Sequence, residues 1–172
     1  MTGRSVLVLG GARSGKSRYA EGLALGHPGA RVYIATAQPG DEEMAARIAA
    51  HQGRRGSEWS TVEAPIKLVE ALARSSGNFV LIDCLTLWIS NLLLGRLDVA
   101  PRVERLAEAL RVRAGTVAVV SNEVGLGIVP DNALARTFRD EAGLANQRLA
   151  EACDEVVFMA AGLPLKLKGP SP

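Results

Sequence analysis

The sequence predicts an α/β fold, an open and mostly parallel doubly wound sheet with helices on both faces. Two observations carry that prediction. Short, near-continuous apolar runs recur at residues 5–9, 31–36, 79–83, 116–121 and 155–160, the pattern of strands covered on both sides. Helix-period segments lie between them, at 16–25, 42–51, 66–74, 87–94, 102–113 and 133–153, so strand and helix alternate along the whole chain. A third observation fixes where such a sheet would work: the first apolar run, Val6-Leu7-Val8-Leu9, passes directly into a glycine-rich turn.

That turn reads Gly10-Gly11-Ala12-Arg13-Ser14-Gly15-Lys16-Ser17, a complete G-x-x-x-x-G-K-S motif between a strand and a helix. Glycines there let backbone N–H groups turn inward around a phosphate chain, and the helix N-terminus adds partial positive charge. Lys16 supplies a point charge for the terminal phosphates, and Ser17 places a hydroxyl for Mg²⁺. A chance glycine turn would not match eight positions in this setting, so the fold is P-loop NTPase-like and the ligand is a nucleoside triphosphate.

Composition agrees with one nucleotide-binding catalytic domain over residues 1–172. Apolar residues are 48% of the chain, enough to bury a sheet between helices. A net charge of +2 leaves no basic footprint for nucleic acid. No apolar run is long enough to span a bilayer. Cys84 and Cys153 have neither metal spacing nor the number for a disulfide framework, and read as reduced core thiols. With a strand starting at once and no leader ahead of it, the expected location is cytoplasmic. The last segment, 162–172, holds three prolines and two lysines and reads as a fraying tail. A short extra strand fits at 60–63, ahead of Pro65.

Ligands of such sheets bind beyond the carboxyl ends of the strands, which selects the residues to weigh. Strand two ends at Thr36-Ala37-Gln38, and strand five at Ala161-Gly162. The run Phe79-Val80-Leu81-Ile82-Asp83 puts a carboxylate after four apolar residues, the second nucleotide signature, where the acid holds Mg²⁺ directly or through water. Alone it would read as a helix cap; beside the phosphate loop the metal reading is the stronger. Cys84 and Thr86 next to it read as packing or capping residues.

Asn122 and Glu123 follow strand four, ahead of a loop containing Gly125 and Gly127. An amide and an acid there suit a substrate contact or a catalytic carboxylate, against a loop-capping alternative. Glu63 ends a short extended run and is either a guanine-edge acceptor or an ordinary exposed acid. Trp59 and Trp88 lack a basic, aromatic-interleaved groove and read as packing anchors. On the helix at 133–153, Leu134, Phe138, Ala145, Leu149 and Cys153 form a packing stripe; Arg136, Arg139, Asp140 and Arg148 lie off it.

Between Asp41, a plausible N-cap, and Gly53, a plausible stop, about three turns of helix fit. Met44, Arg47, Ile48 and His51 then share a face. A lone histidine on such a face is usually structural, but here Arg54 and Arg55 follow it between glycines. Arg47 one turn earlier favours the neutral imidazole that a nucleophile requires. On chemistry alone a capping His51 and a phosphate-handling His51 stand even.

Taken in order, the phosphate loop, Tyr33-Ile34-Ala35-Thr36-Ala37, the helix ending in His51, Trp59 to Glu63, and Asn122-Glu123-Val124-Gly125-Leu126-Gly127-Ile128-Val129-Pro130 resemble one family. It is the bifunctional adenosylcobinamide kinase and adenosylcobinamide-phosphate guanylyltransferase of cobalamin biosynthesis, and the likeness covers essentially the whole chain. The resemblance implies phosphorylation of adenosylcobinamide with ATP or GTP. It then implies transfer of GMP from GTP through a covalent guanylyl-histidine, giving adenosylcobinamide-GDP. By the same likeness His51 is the guanylylated residue, and Gln52, Gly53, Arg54, Arg55, Glu63 and Asp83 complete the guanine-nucleotide site with Thr36, Ala37 and Gln38. Mg²⁺ as cofactor and a homotrimer are implied too. Some relatives carry two adjacent histidines; Ala50 stands before His51 here. The alternatives are a simple P-loop small-molecule kinase with His51 structural, and a GTP-binding switch, which the lack of an Asn-Lys-x-Asp motif disfavours.

Overall fold

The computed structural model describes residues 3–38, 56–75 and 79–170. The expected helix at 42–51, and with it His51, Gln52, Gly53, Arg54 and Arg55, lies outside the described residues. Seven strands form one sheet: β1 (Arg4–Gly10), β2 (Arg31–Ala35), β3 (Trp59–Glu63), β4 (Phe79–Asp83), β5 (Thr116–Asn122), β6 (Glu155–Ala160) and β7 (Leu163–Lys168). Their order is β3-β2-β4-β5-β1-β6-β7. All neighbouring pairs are parallel except β6 with β7.

The described helices are α1 (Lys16–Leu23), α2 (Leu68–Arg74), α3 (Leu85–Leu94), α4 (Ala100–Val112) and α5 (Ala133–Ala152). The last turn expected of α1 is a 3₁₀ turn, Ala24–Gly26. Side chains alternate across the sheet, so each strand feeds two cores. Val6, Val8, Leu81, Val120 and Met159 pack on the face that α1 covers with Ala20. Leu7, Leu9, Ile34, Ile82 and Val119 pack on the other, under Leu72 of α2, Trp88 of α3, Leu106 of α4 and Leu149 of α5. Near-continuous apolar strands are what burial on both faces demands, and this is why the sheet was legible in the sequence.

Three expectations change. The tail does not fray: residues 163–168 are strand β7, antiparallel to β6 through the two-residue turn Ala161-Gly162. Both turn residues have positive φ, 51° and 81°, the twist a tight hairpin needs. Leu163, Leu165 and Leu167 alternate with Pro164, Lys166 and Lys168, a period of two that the prolines masked, and Pro164 is tolerated because β7 is an edge strand. Leu134 departs from the packing stripe of α5 and is 55% exposed. The off-stripe arginines serve the chain itself. Arg148 clamps Glu104 of α4, and Arg136 donates to the Pro130 and Asp131 carbonyls. Arg139 pairs with Asp140.

Trp88 is fully buried with its ring N–H on the Ile66 carbonyl (2.8 Å), and Trp59 meets Phe79 edge-on at 6.1 Å. Both are packing residues. Cys84 and Cys153 are buried free thiols. Among the described residues no helix is long and apolar enough to cross a membrane.

Candidate functional site

Parallel register brings the strand ends to one rim. Gly10 lies level with Asn122 of β5 on one side and Met159 of β6 on the other. Asp83 of β4 is level with Val120 and with Ala35, and Ala35 in turn with Glu63. Two strand spacings separate Glu63 from Asp83, about 10 Å. The phosphate loop therefore rises where β1 sits between its two neighbours.

Two of the loop's glycines are required, Gly10 by close approach and Gly15 by its backbone conformation. A side chain at Gly10 would meet the Met159 carbonyl at 2.5 Å and Ser14 Oγ at 2.6 Å. Gly15 holds φ 96° at the start of α1, a left-handed conformation that costs other residues about 1–2 kcal/mol. Lys16 is buried as the first residue of α1. Its Nζ reaches back over the loop to the Gly11 carbonyl and to Ser14 Oγ (3.4 Å). Burial lowers its pKa from the usual lysine range, against weaker opposing pulls from Cys84 and Asp83. An ammonium held this way is poorly hydrated, and so is well placed to pair with an anion.

Ser17 and Asp83 meet: Ser17 Oγ donates to Asp83 Oδ2 at 2.8 Å. Both oxygens suit a hard divalent cation, which takes carboxylate and hydroxyl ligands. The two nucleotide signatures, far apart in sequence, thus converge on one point of the rim.

Asp83 is held from behind. The Thr36 hydroxyl, buried at the end of β2, donates to the Cys84 carbonyl (2.7 Å) and accepts from the Cys84 N–H (2.8 Å). The Thr36 carbonyl takes a hydrogen bond from Asn91 Nδ2 (2.8 Å), whose other bond goes to the Pro65 carbonyl. The side chain of Thr36 is thus committed to the backbone following Asp83. Ala37 is half-buried and Gln38 exposed beyond it. Burial, and then the Asp83 charge, push the Cys84 thiol up to about 11, which keeps it protonated and unreactive.

Asn122 is tied down as well. Its Nδ2 donates to Thr86 Oγ1 (2.8 Å), and its carbonyl accepts from Asn146 Nδ2 (3.3 Å). Asn146 also accepts from the buried Ser121 hydroxyl (2.7 Å). Thr86 is therefore a network member and more than a packing residue. Glu123 stands beside the loop, its N–H on the Gly10 carbonyl (3.0 Å) and its carboxylate accepting from the Gly125 N–H. Glu63 is exposed and forms no ion pair among the described residues.

Asn91 and Asn146 escaped the sequence reading, and Thr86 was read only as a packing or capping residue. Asn146 carried a signal, an amide set among Ala142, Ala145 and Leu149 on the buried face of α5. Buried polar groups require partners, and that requirement alone points to a network. Asn91, in α3, gave no such contrast.

Comparison with known proteins bears on this arrangement. The model of the family described as cobinamide kinase / cobinamide phosphate guanyltransferase matches residues 6–167. The chain is 51% identical over 169 residues to the bifunctional adenosylcobalamin biosynthesis protein CobP of Pseudomonas aeruginosa, covering 95% of this chain and 96% of that one. It is 41% identical over 180 residues to the bifunctional adenosylcobalamin biosynthesis protein CobU of Salmonella typhimurium, covering 95% and 99%. Among solved structures, the RadB recombinase superposes with a TM-score of 0.54 at 16% identity, over 91% of this chain and 74% of that one. A KaiC-like protein of Pyrococcus horikoshii gives 0.53 at 14%, over 91% and 71%. These last two likenesses speak for the fold alone, a P-loop NTPase fold.

Proposed function

The chain belongs to the cobinamide kinase / cobinamide phosphate guanyltransferase family, bifunctional enzymes of adenosylcobalamin biosynthesis, and on that premise we propose how its residues divide the two reactions within one catalytic domain. The observation that carries the proposal is the Ser17–Asp83 contact, a hydroxyl and a carboxylate side by side at the loop, which suits a metal-bound triphosphate there.

In the kinase step the acceptor hydroxyl oxygen of adenosylcobinamide bonds to the γ-phosphorus of ATP or GTP. The bond from that phosphorus to the β,γ-bridging oxygen breaks, and a nucleoside diphosphate leaves. Lys16 and the N–H groups of Gly11 to Ser17 neutralise the charge that develops on the leaving phosphates. Asp83 is engaged with Ser17, which leaves Glu123, beside the loop, to take the hydroxyl proton. Asn122 and Glu123 form the substrate-facing end. The exposed side chains of Leu126, Ile128 and Val129 beyond them suit the apolar flanks of a corrinoid.

In the transferase step a neutral His51 nitrogen bonds to the α-phosphorus of GTP, and pyrophosphate leaves into the loop. A phosphate oxygen of the phosphorylated cobinamide then displaces His51 from that phosphorus, giving adenosylcobinamide-GDP. Gln52, Gly53, Arg54 and Arg55 hold the nucleotide, the arginines as bidentate donors. Glu63 accepts hydrogen bonds from the guanine edge, with Ala37 and Gln38 alongside; Thr36 acts through Asp83. Ser17 and Asp83 would hold Mg²⁺, whose chemistry is to neutralise phosphate charge. A homotrimer and a cytoplasmic location complete the reading.

The test is incubation with α-labelled GTP and Mg²⁺. An acid-labile, alkali-stable GMP adduct is expected, absent from His51→Ala. A wild-type protein that phosphorylates cobinamide yet forms no adduct removes the transferase half and leaves a simple kinase.

A further inference from the structure

On the opposite side of the loop from Asp83 lies an open groove of about 480 Å³. Its lining includes Arg13, Arg18, Tyr19, Met159, Ala161 and Gly162. It is built against the loop: the Gly162 N–H donates to the Ser14 carbonyl (3.0 Å), and a side chain at Gly15 would press on the Gly162 Cα at 3.4 Å. The two arginines are exposed and make no hydrogen bond or ion pair among the described residues. Its volume falls within the range of small-molecule sites, about 300–1,000 Å³.

We propose that this groove takes the purine nucleoside of the phosphoryl donor, so that the triphosphate lies across the loop in one direction for the kinase step and in the reverse direction for guanylyl transfer. The inference rests on the reading that the loop holds a triphosphate in both steps.

The argument is geometric. A triphosphate is a chain with its nucleoside at one end, and the Ser17–Asp83 pair marks the reacting side of the loop, toward β4. Phosphoryl transfer needs the γ-phosphorus on that side, in line with the acceptor hydroxyl. The nucleoside then leaves the loop on the other side, toward β6, where the groove lies. On the reading that the same rim serves guanylyl transfer, the α-phosphorus comes to that side, which swings the nucleoside toward β2 and β3, where Gln38 and Glu63 stand. No single direction presents both phosphorus atoms to the same rim.

The groove's chemistry sets its selectivity. Guanidinium groups stack on purine faces, a contact adenine and guanine offer alike, and donate to ribose and phosphate oxygens. Among the described residues none of its lining is acidic, so no carboxylate there pairs with the N1–H and exocyclic amine that distinguish guanine. The kinase step is therefore tolerant of adenine and guanine alike. Guanine selection belongs to the Glu63 side, where a carboxylate is available.

ATP separates the two modes, because it can donate a phosphoryl group but no GMP. In Arg18→Ala the KM for ATP in cobinamide phosphorylation should rise about tenfold, and further in Arg18→Glu, a lost charge-assisted contact being worth about that factor. The GTP concentration for half-maximal adduct formation should stay as in wild type, which also shows the variants fold. Irradiation of the wild-type protein with 8-azido-ATP should label peptides carrying Tyr19 or residues 159–162. Parallel rises in both parameters, no rise in either, or label at residues 36–38 or Glu63 would overturn the inference. A wild-type protein that phosphorylates cobinamide but yields no adduct leaves the groove arm standing and removes only the transferase reading. One without ATP-dependent phosphorylation removes the groove reading and leaves the transferase reading to the adduct.

Discussion

Replacing Thr36 by valine keeps its shape and removes one hydroxyl, and the consequences follow from the bonds that hydroxyl makes. It is fully buried and serves as both donor and acceptor to the backbone of Cys84, which is buried too. In Thr36→Val the Cys84 N–H and carbonyl lose these partners without gaining water. The Cys84 N–H is left without a partner, about 1–3 kcal/mol, and the carbonyl, which keeps the Trp88 N–H (3.2 Å), loses one of two bonds, about 1 kcal/mol, so the change should cost about 2–4 kcal/mol. Thr36→Ser keeps both bonds and loses one methyl group, about 1 kcal/mol.

Urea unfolding followed by circular dichroism separates the two. With a slope of about 2 kcal/mol/M, the midpoint should fall by about 1–2 M for the valine variant and by about 0.5 M for the serine variant, slopes unchanged. Because Asp83 immediately precedes Cys84, triphosphate affinity should also weaken in Thr36→Val and be largely kept in Thr36→Ser. A valine variant within about 0.5 kcal/mol of wild type would show that the hydroxyl does not hold this backbone. Weak nucleotide binding at full stability would instead make Thr36 a direct ligand contact.

Lys16→Ala should cut ATP-dependent phosphorylation and GTP-dependent adduct formation together, by about 10²–10³-fold each, as loss of a charge donor at a reacting phosphate does; either activity persisting at the wild-type level would show that the steps use separate loops. Glu155, buried at the start of β6, is held below the usual carboxylate range, first by its hydrogen bond from Arg4. Its stabilisation is therefore present above about pH 4 and lost as pH falls through the folded-state value. Because the Arg4 side chain is 47% exposed, screening holds the effect near 1 kcal/mol at pH 7. Glu155→Gln should then unfold earlier in urea at pH 7 and match wild type near pH 2, and an equal gap at both pH values would contradict this.

Legibility in the sequence followed burial and local chemistry. Strands covered on both faces must be apolar, so β1, β2, β4, β5 and β6 stood out, and the loop could be read because phosphate cradling tolerates few residues at its glycines. Glu63 and Glu123 were legible as strand-end carboxylates by rule of position. Strand β7 was missed because its prolines argued louder than its alternating leucines, and an edge strand bears prolines that a central one would reject. Thr36 was selected by its place at a strand end and given a nucleotide contact by the family resemblance, and its bonds to Cys84 could not be read at all, since they join residues 48 apart through register alone.

Register also bears on the proposal that one loop serves two chemistries. Strand β5 is inserted between β1 and β4, which sets Asp83 two strands from the loop and Glu123 one strand from it. The gap to Asp83 is spanned by Ser17, a side chain of the first turn of α1, so the Ser17–Asp83 pair is set by helix and sheet together. Strand β6 closes the other flank, and its hairpin with β7 is bonded to the loop at Ser14. The loop therefore has Asp83 and Glu123 on one side and, on the other, Arg13 and Arg18, which make no hydrogen bond or ion pair among the described residues. A triphosphate laid across it experiences the same β-phosphate cradle in either direction, while what differs is which terminal phosphorus faces Glu123. Reversal needs no second loop, only two nucleoside sites on opposite sides of the first.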